Sequence, residues 1–135
     1  MQSPERQLVR VFVATPTAVT AARHAILNLA QRLRASPVTC ENLALAVSEG
    51  VANAVRHAYP GGAKPGAVEV RATVAGDQLR LVIADYGRGM TARADGSGMG
   101  MGIALMASVS RHLEVRERRG GGVELEMIFT LDSGR

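Results

Sequence analysis

Val68-Glu-Val-Arg-Ala-Thr-Val74 and Leu79-Arg-Leu-Val-Ile-Ala-Asp85 stand on either side of Gly76-Asp77, and their reading decides the fold. Val68, Val70, Ala72 and Val74 alternate with Glu69, Arg71 and Thr73, the period-two pattern of a half-buried strand. Gly76-Asp77 fits a two-residue hairpin turn with glycine at the first central position. Leu79, Leu81 and Ile83 carry the apolar face along the return strand, which ends at Asp85. One apolar face per strand implies an antiparallel sheet covered by helices on a single side.

Outward from this hairpin, the flanking segments agree with it. Leu8 to Ala14 reads as a strand, with Leu8, Arg10, Phe12 and Ala14 on one side and Val9, Val11 and Val13 on the other. Pro16 and Thr17 open a helix to about Arg34, with Val19, Ala22, Ile26, Leu29, Ala30 and Leu33 at helical spacing. Ser36-Pro37 pairs a capping serine with a first-turn proline, and this second helix runs to about Ala58, before Pro60-Gly-Gly62. Residues 86–100 are glycine-rich and aperiodic, a long mobile loop. Ile103 to about Arg111 reads as a short helix. Leu113–Glu117 and Val123–Leu131 read as a second hairpin whose Val123, Leu125, Met127, Phe129 and Leu131 face inward. The expectation is an α+β fold over residues 1–135 as one domain: a two-layer sandwich, mostly antiparallel sheet with helices on one face.

Composition narrows the function. With 135 residues, 47% hydrophobic and 21% charged, the chain can bury a core without disulfides or a structural metal. Cys40 is the single cysteine, which excludes an internal disulfide and suits a reducing compartment. Glu5, Arg6 and Arg10 interrupt the N-terminus, so no signal peptide is expected, and no run approaches the ~18 apolar residues of a membrane span. A cytoplasmic protein is the expectation. The formal charge of +4 invites a nucleic-acid reading, but the arginines are scattered and 3% aromatics provide no stacking platform. Arg116-Glu-Arg-Arg119 reads as a solvated hairpin edge. A basic surface that meets an acidic protein or phosphates is an equal account of the charge.

Chemistry concentrates in three places. On the second helix Leu43, Val47, Gly50 and Ala54 share the core face, and Glu49 and Asn53 lie along its border, about 6 Å apart along the axis. Mid-helix Gly50 costs roughly 1 kcal/mol against alanine, a sign of close backbone packing. Mg²⁺ takes oxygen ligands from nucleotide phosphates and water, to which one Asn53 carbonyl can add. A carboxylate such as Glu49 beside a γ-phosphate can accept a proton from an attacking hydroxyl. His57 lies near the same border, where a histidine more often makes a structural hydrogen bond. Asp85 can accept a hydrogen bond from an exocyclic amine such as that of adenine, although aspartate before glycine is also a common turn cap. Gly87 and Gly89 permit torsions closed to other residues. Gly98-Met-Gly-Met-Gly102 precedes a helix, so its amides can cradle phosphate oxygens. Gly87-Arg-Gly-Met-Thr-Ala92 fits a dinucleotide fingerprint, but no amphipathic crossover helix follows, and no P-loop motif is present. The ordered set points to Mg-ATP.

These residues resemble the GHKL ATPase/kinase superfamily, and most closely its small anti-sigma-factor serine/threonine kinases. Ser48-Glu-Gly-Val-Ala-Asn-Ala-Val-Arg-His-Ala-Tyr59 is similar to the N-box, Asp85-Tyr-Gly-Arg-Gly89 to the adenine-binding box, and Gly98-Met-Gly-Met-Gly102 to the box that closes the ATP lid. The resemblance implies the Bergerat ATP-binding fold, with Glu49 as catalytic base and Asn53 on Mg²⁺. Asp85 would contact adenine, and Gly87, Gly89, Gly98, Gly100 and Gly102 would contact the nucleotide. It also implies a likeness to dimeric regulators that hold a sigma factor and phosphorylate a serine on an anti-sigma-factor antagonist. The family's last strand commonly opens on G-T-T-V, where this chain has Gly120-Gly-Gly-Val123, without hydroxyls.

Two readings follow. One is an ATP- and Mg-dependent serine/threonine-protein kinase acting as a partner-switching regulator of transcription. The other is a nucleotide-binding module that sequesters a partner without phosphoryl transfer. A sensor histidine kinase would need a phospho-accepting helix, for which His24 is the sole candidate. A gyrase-like or mismatch-repair ATPase would need a transducer domain. No direct nucleic-acid or membrane contact is expected.

Overall fold

The computed structural model describes residues 6–59, 64–88 and 99–132. In chain order they form β1 (Gln7–Val13), α1 (Pro16–Arg32), α2 (Pro37–Asn53), β2 (Ala67–Ala75), β3 (Gln78–Asp85), α3 (Met99–Val109), β4 (His112–Glu117) and β5 (Val123–Thr130). The strands make one antiparallel sheet in the order β1-β2-β3-β5-β4. The α+β sandwich read from the sequence is the fold observed.

The period-two alternation determines which side is covered. Leu8, Ala72, Leu81 and Met127 share one cross-strand row, and Val70, Ile83 and Leu125 lie in the next. All are buried, against Ala22, Ile26 and Leu29 of α1 and Leu43, Val47 and Val51 of α2. Each fully buried Leu, Ile or Val contributes about 1.5–3 kcal/mol. Gly50 faces Ile83 so closely that a β-carbon would overlap its Cδ1. The bare glycine thus lets α2 ride low over β3, as its mid-helix position implied.

The start of α2 is capped as expected: Ser36 accepts the Thr39 N–H at 3.2 Å. The chain's last described turn ties into the same cap, because the Thr39 and Ser36 hydroxyls donate to Asp132 Oδ1 at 2.5 and 3.0 Å. These bonds, Thr39's first, hold the Asp132 carboxyl below its ordinary range.

The other end of α2 departs from the expected continuous helix. Regular α-geometry stops at Asn53, and Ala54–Ala58 form one π-helical turn that ends at extended Tyr59. Such wide turns recur at functional sites. Here the turn presents the Ala58 carbonyl to the Arg88 N–H at 2.7 Å and the His57 carbonyl to Arg88 Nε at 2.9 Å.

On the uncovered face, Val82 and Ala84 are only 2% and 0% exposed, although they point away from the helices. In register, Val82 lies between Arg71 and Glu126, and Ala84 between Glu69 and Glu124. The stems of these charged residues cover the small apolar ones, and the Glu124 and Glu126 side chains are themselves only 19% and 16% exposed. Arg71 pairs with Glu69 and Glu124, Arg80 with Glu126, and Arg116 with Glu114, Glu124 and Glu126. The Arg116 hydrogen bond, with help from Arg80, keeps the Glu126 carboxyl below its usual range despite desolvation. Arg116 and Arg118 therefore belong to a paired lattice and not to a freely solvated edge, since Arg118 also reaches Glu124 at 3.6 Å.

Candidate functional site

Where α2 passes α3, a cavity of about 710 Å³ opens, lined by Glu49, Asn53, Arg56, His57, Met101, Gly102, Ala104 and Leu105. Its size falls within the ~300–1,000 Å³ of small-molecule sites. Helical spacing brings Glu49 and Asn53, four residues apart, to one side of α2, and the π-turn that follows adds Arg56 and His57 to the same lining. From the other side, Gly102 approaches Glu49 so closely that a β-carbon would lie 3.2 Å from its Oε1. Two of the motifs that are far apart in the chain therefore meet across one opening.

Asn53 carries the clearest sign of a ligand. It is 4% exposed, and its Nδ2 has no hydrogen-bond partner among the described residues. An unsatisfied buried donor costs about 1–3 kcal/mol, so a polar group is needed at this point. No cluster of three or more His, Cys, Asp or Glu side chains among the described residues could cage a metal. An amide nitrogen donates and does not bind metal, so Nδ2 calls for an acceptor such as a phosphate oxygen, while Oδ1 of the same side chain is the atom that could add to Mg²⁺, which keeps other ligands from nucleotide and water. Arg56 adds a positive charge at the same opening.

Asp85 and Gly87 do not line this cavity; Gly87 packs on Ala58, the last residue of the π-turn. Asp85 is 4% exposed, and its Oδ1 accepts the N–H groups of Gly87 at 3.1 Å and Val123 at 3.2 Å. The turn-capping role that any aspartate before glycine can play is therefore present, and the same carboxylate also ties β3 to β5. Gly87 is jammed against the π-turn, where a β-carbon would overlap the Ala58 carbonyl. Tyr86 N–H donates to the Tyr59 hydroxyl at 3.2 Å, and that hydroxyl donates to the Ala67 carbonyl at 2.6 Å.

The remaining glycines divide. Gly100 lies in the first turn of α3, where a β-carbon would meet nothing within 4 Å. Gly89 and Gly98, with most of the expected loop 86–100, lie outside the described residues. The helix read as starting at Ile103 begins at Met99, so Gly100 and Gly102 belong to its first turn and not to a preceding loop.

Helices packed on one face of a mixed-order antiparallel sheet, with an acid and an amide on α2 facing a glycine-bearing helix start, define a nucleotide-binding class. The chain belongs to the histidine kinase-like ATPase domain family, which matches residues 12–129. Within it, the chain is similar to the serine-protein kinase RsbW of Bacillus licheniformis, at 31% identity over 90% of this chain and 84% of that protein. It is also similar to the anti-sigma F factor of Clostridium acetobutylicum, at 27% identity over 91% and 92% of the two chains. The crystal structure of the RsbU and RsbW domains of a Mycobacterium tuberculosis protein superposes with a TM-score of 0.75 at 23% identity. That match covers 96% of this chain, which spans 34% of the other.

The sequence reading missed several neighbours of the site. Arg56 was within reach, because it stands three residues after Asn53 in the stretch whose spacing predicts a helix to about Ala58. Leu105 and Ala104 were not, since their place depends on how α3 packs against α2. Arg88 and Gly122 have contacts that only appear once the π-turn and the last hairpin are in place.

Proposed function

We propose that this chain is an ATP-dependent serine/threonine-protein kinase that regulates a sigma factor by partner switching. In this reading the cavity between α2 and α3 would hold the triphosphate with Mg²⁺, and Asn53 would offer its side-chain carbonyl oxygen to the metal. Asp85 faces the adenine, and Gly87, Gly89, Gly98, Gly100 and Gly102 let backbone approach the nucleotide. ATP supplies the phosphoryl group. Glu49 takes the proton of the acceptor serine hydroxyl, the role a carboxylate plays in phosphoryl transfer. Arg56 offsets phosphate charge at the mouth of the cavity.

The observation that carries this reading is the buried Asn53 Nδ2, without a hydrogen-bond partner among the described residues, set one turn from Glu49 in the same opening. The serine acceptor belongs to an anti-sigma-factor antagonist protein, and the sigma factor is the second partner. The protein works in the cytoplasm as a homodimer; no described helix is long and apolar enough to cross a membrane. Three valines of edge strand β1, Val9, Val11 and Val13, are 56–61% exposed side by side and provide an apolar strip where a second copy can bury surface.

Calorimetric titration with ATP, with and without Mg²⁺, followed by phosphorylation of a purified antagonist, tests the proposal. Mg-dependent binding and serine phosphorylation are expected. Mg-dependent binding without transfer to any antagonist would turn the reading to a nucleotide-binding module that only sequesters its partner. An absence of binding at millimolar ATP would overturn it.

A further inference from the structure

A helix leaves its last carbonyls without intrahelical partners, and at the end of α2 two of them are met by one distant residue. The Nε of Arg88 donates to the His57 carbonyl at 2.9 Å, across 31 residues of sequence. The backbone N–H of the same arginine donates to the Ala58 carbonyl at 2.7 Å. A cation at the carbonyl end of a helix also complements its dipole. Arg88 is therefore a C-terminal cap for the π-turn, supplied from the loop after β3.

Two neighbours reinforce that grip. Gly87 packs so tightly on Ala58 that a β-carbon would overlap its carbonyl. The Tyr86 N–H donates to the Tyr59 hydroxyl at 3.2 Å. Three consecutive residues of the loop thus hold three consecutive residues at the end of the turn. On its other side the same turn lines the cavity, through Arg56 and His57. His57 is only 5% exposed, so its carbonyl is anchored to the loop while its ring lines the cavity. Arg88 itself is not part of that lining. A π-turn is one residue wider than an α-turn, and a return to α-register would rotate every side chain after Asn53 about the axis.

We infer that Arg88 is a positioning residue for the phosphate end of the site: its bond to the His57 carbonyl keeps the π-turn wide, and the turn directs Arg56 and His57 into the cavity. The inference rests on the proposed nucleotide site and names the residue that presents its cation. Peptide planarity is what transmits the effect, because fixing the His57 and Ala58 carbonyls fixes the peptide planes on which the turn is built. Arg88 acts through hydrogen bonding, and two substitutions separate that from its charge. Glutamine places a neutral amide nitrogen as many bonds from Cα as arginine Nε. Lysine keeps the positive charge but has a methylene at that place. The backbone bond from residue 88 to Ala58 survives all of these changes, so the loop keeps its hold on the turn at one point.

The test is calorimetry of the full chain with Mg-ATP, joined to amide exchange of the nucleotide-free protein. Arg88→Ala should weaken Mg-ATP binding by about tenfold. Arg88→Gln should stay within about threefold of wild type, while Arg88→Lys should fall close to Arg88→Ala. In an Arg56→Ala background, Arg88→Ala should cost only about threefold or less, because the cation it directs is already gone. Amide exchange over residues 56–59 should accelerate in Arg88→Ala and Arg88→Lys but not in Arg88→Gln. Binding kept by lysine and lost by glutamine would assign the effect to charge and overturn the inference. Unchanged binding or exchange in Arg88→Ala, or an undiminished loss in the Arg56→Ala background, would overturn it too. In each of those cases the ATP site stands. Failure of wild type to bind Mg-ATP overturns both.

Discussion

Between α2 and α3 side chains do the facing: Glu49 and Asn53 of α2, with Arg56 and His57 of the π-turn, line an open cavity shared with α3. At the Asp85 end, the walls are backbone, with the π-turn on one side and the Gly120–Gly122 turn on the other. The first end tolerates motion of its neighbours, because long side chains can follow a ligand. The second does not, because peptide groups in van der Waals contact have nowhere to go. On the proposed function the contrast would separate two tasks: chemistry needs groups that reach, and recognition of a flat base needs walls that stay in place.

The sharpest way to break this division is at Glu49. Glu49→Gln should lower phosphoryl transfer by about 10²–10⁴-fold, the usual contribution of a general base, and leave the ATP dissociation constant within about threefold. Single-turnover transfer to the antagonist checks it, and full retained transfer would move the chemistry elsewhere. Asn53→Ala comes next. It should weaken Mg-ATP binding by about 1.5–3 kcal/mol, the range for hydrogen bonds to charged groups, and calorimetry should show the Mg²⁺ dependence shrinking in step.

The backbone end is probed through stability. Gly87→Ala should cost about 1–3 kcal/mol in urea unfolding, because its β-carbon would drive into the Ala58 carbonyl and overpacking of this kind carries that penalty. Gly100→Ala in α3 should instead gain about 0.5–1 kcal/mol, the helix preference of alanine over glycine. Equal effects of the two changes would erase the distinction between gripped and open glycines.

The smallest effect is expected at neither end. Asp132→Asn removes a carboxylate whose folded-state pKa is held below its ordinary value. A depressed carboxylate stabilises the fold above the unfolded-chain value of about 3.9, and that contribution is lost as pH falls through the lower folded value. Melting of the two proteins should therefore differ at neutral pH and converge at increasing acidity below about pH 4. A constant gap across the titration would show that the Ser36–Thr39–Asp132 tie matters through packing alone.

The helices, strands and sheet faces were legible because each rests on a local period. The neighbourhood of Glu49 and Asn53 on α2 was legible for the same reason, since a spacing of four is close to the 3.6 residues of one α-helical turn. The end of α2 was not, because the π-turn that begins at Ala54 is bonded to Arg88, which lies 31 residues along the sequence from His57. Burial of Val82 and Ala84 was equally hidden, as it depends on arginine and glutamate stems from neighbouring strands. Arg116 and Arg118 looked like a solvated run for that reason.

By itself the sequence determined the layer architecture, the capped start of α2, and the pairing of Glu49 with Asn53, all consequences of spacing along one element. Gly120-Gly-Gly122 reads in the sequence only as a flexible turn without hydroxyls. Tertiary structure decided that one of these glycines is in open space and another is pressed on Asp85, because a missing β-carbon acquires meaning only from the atoms that would have met it.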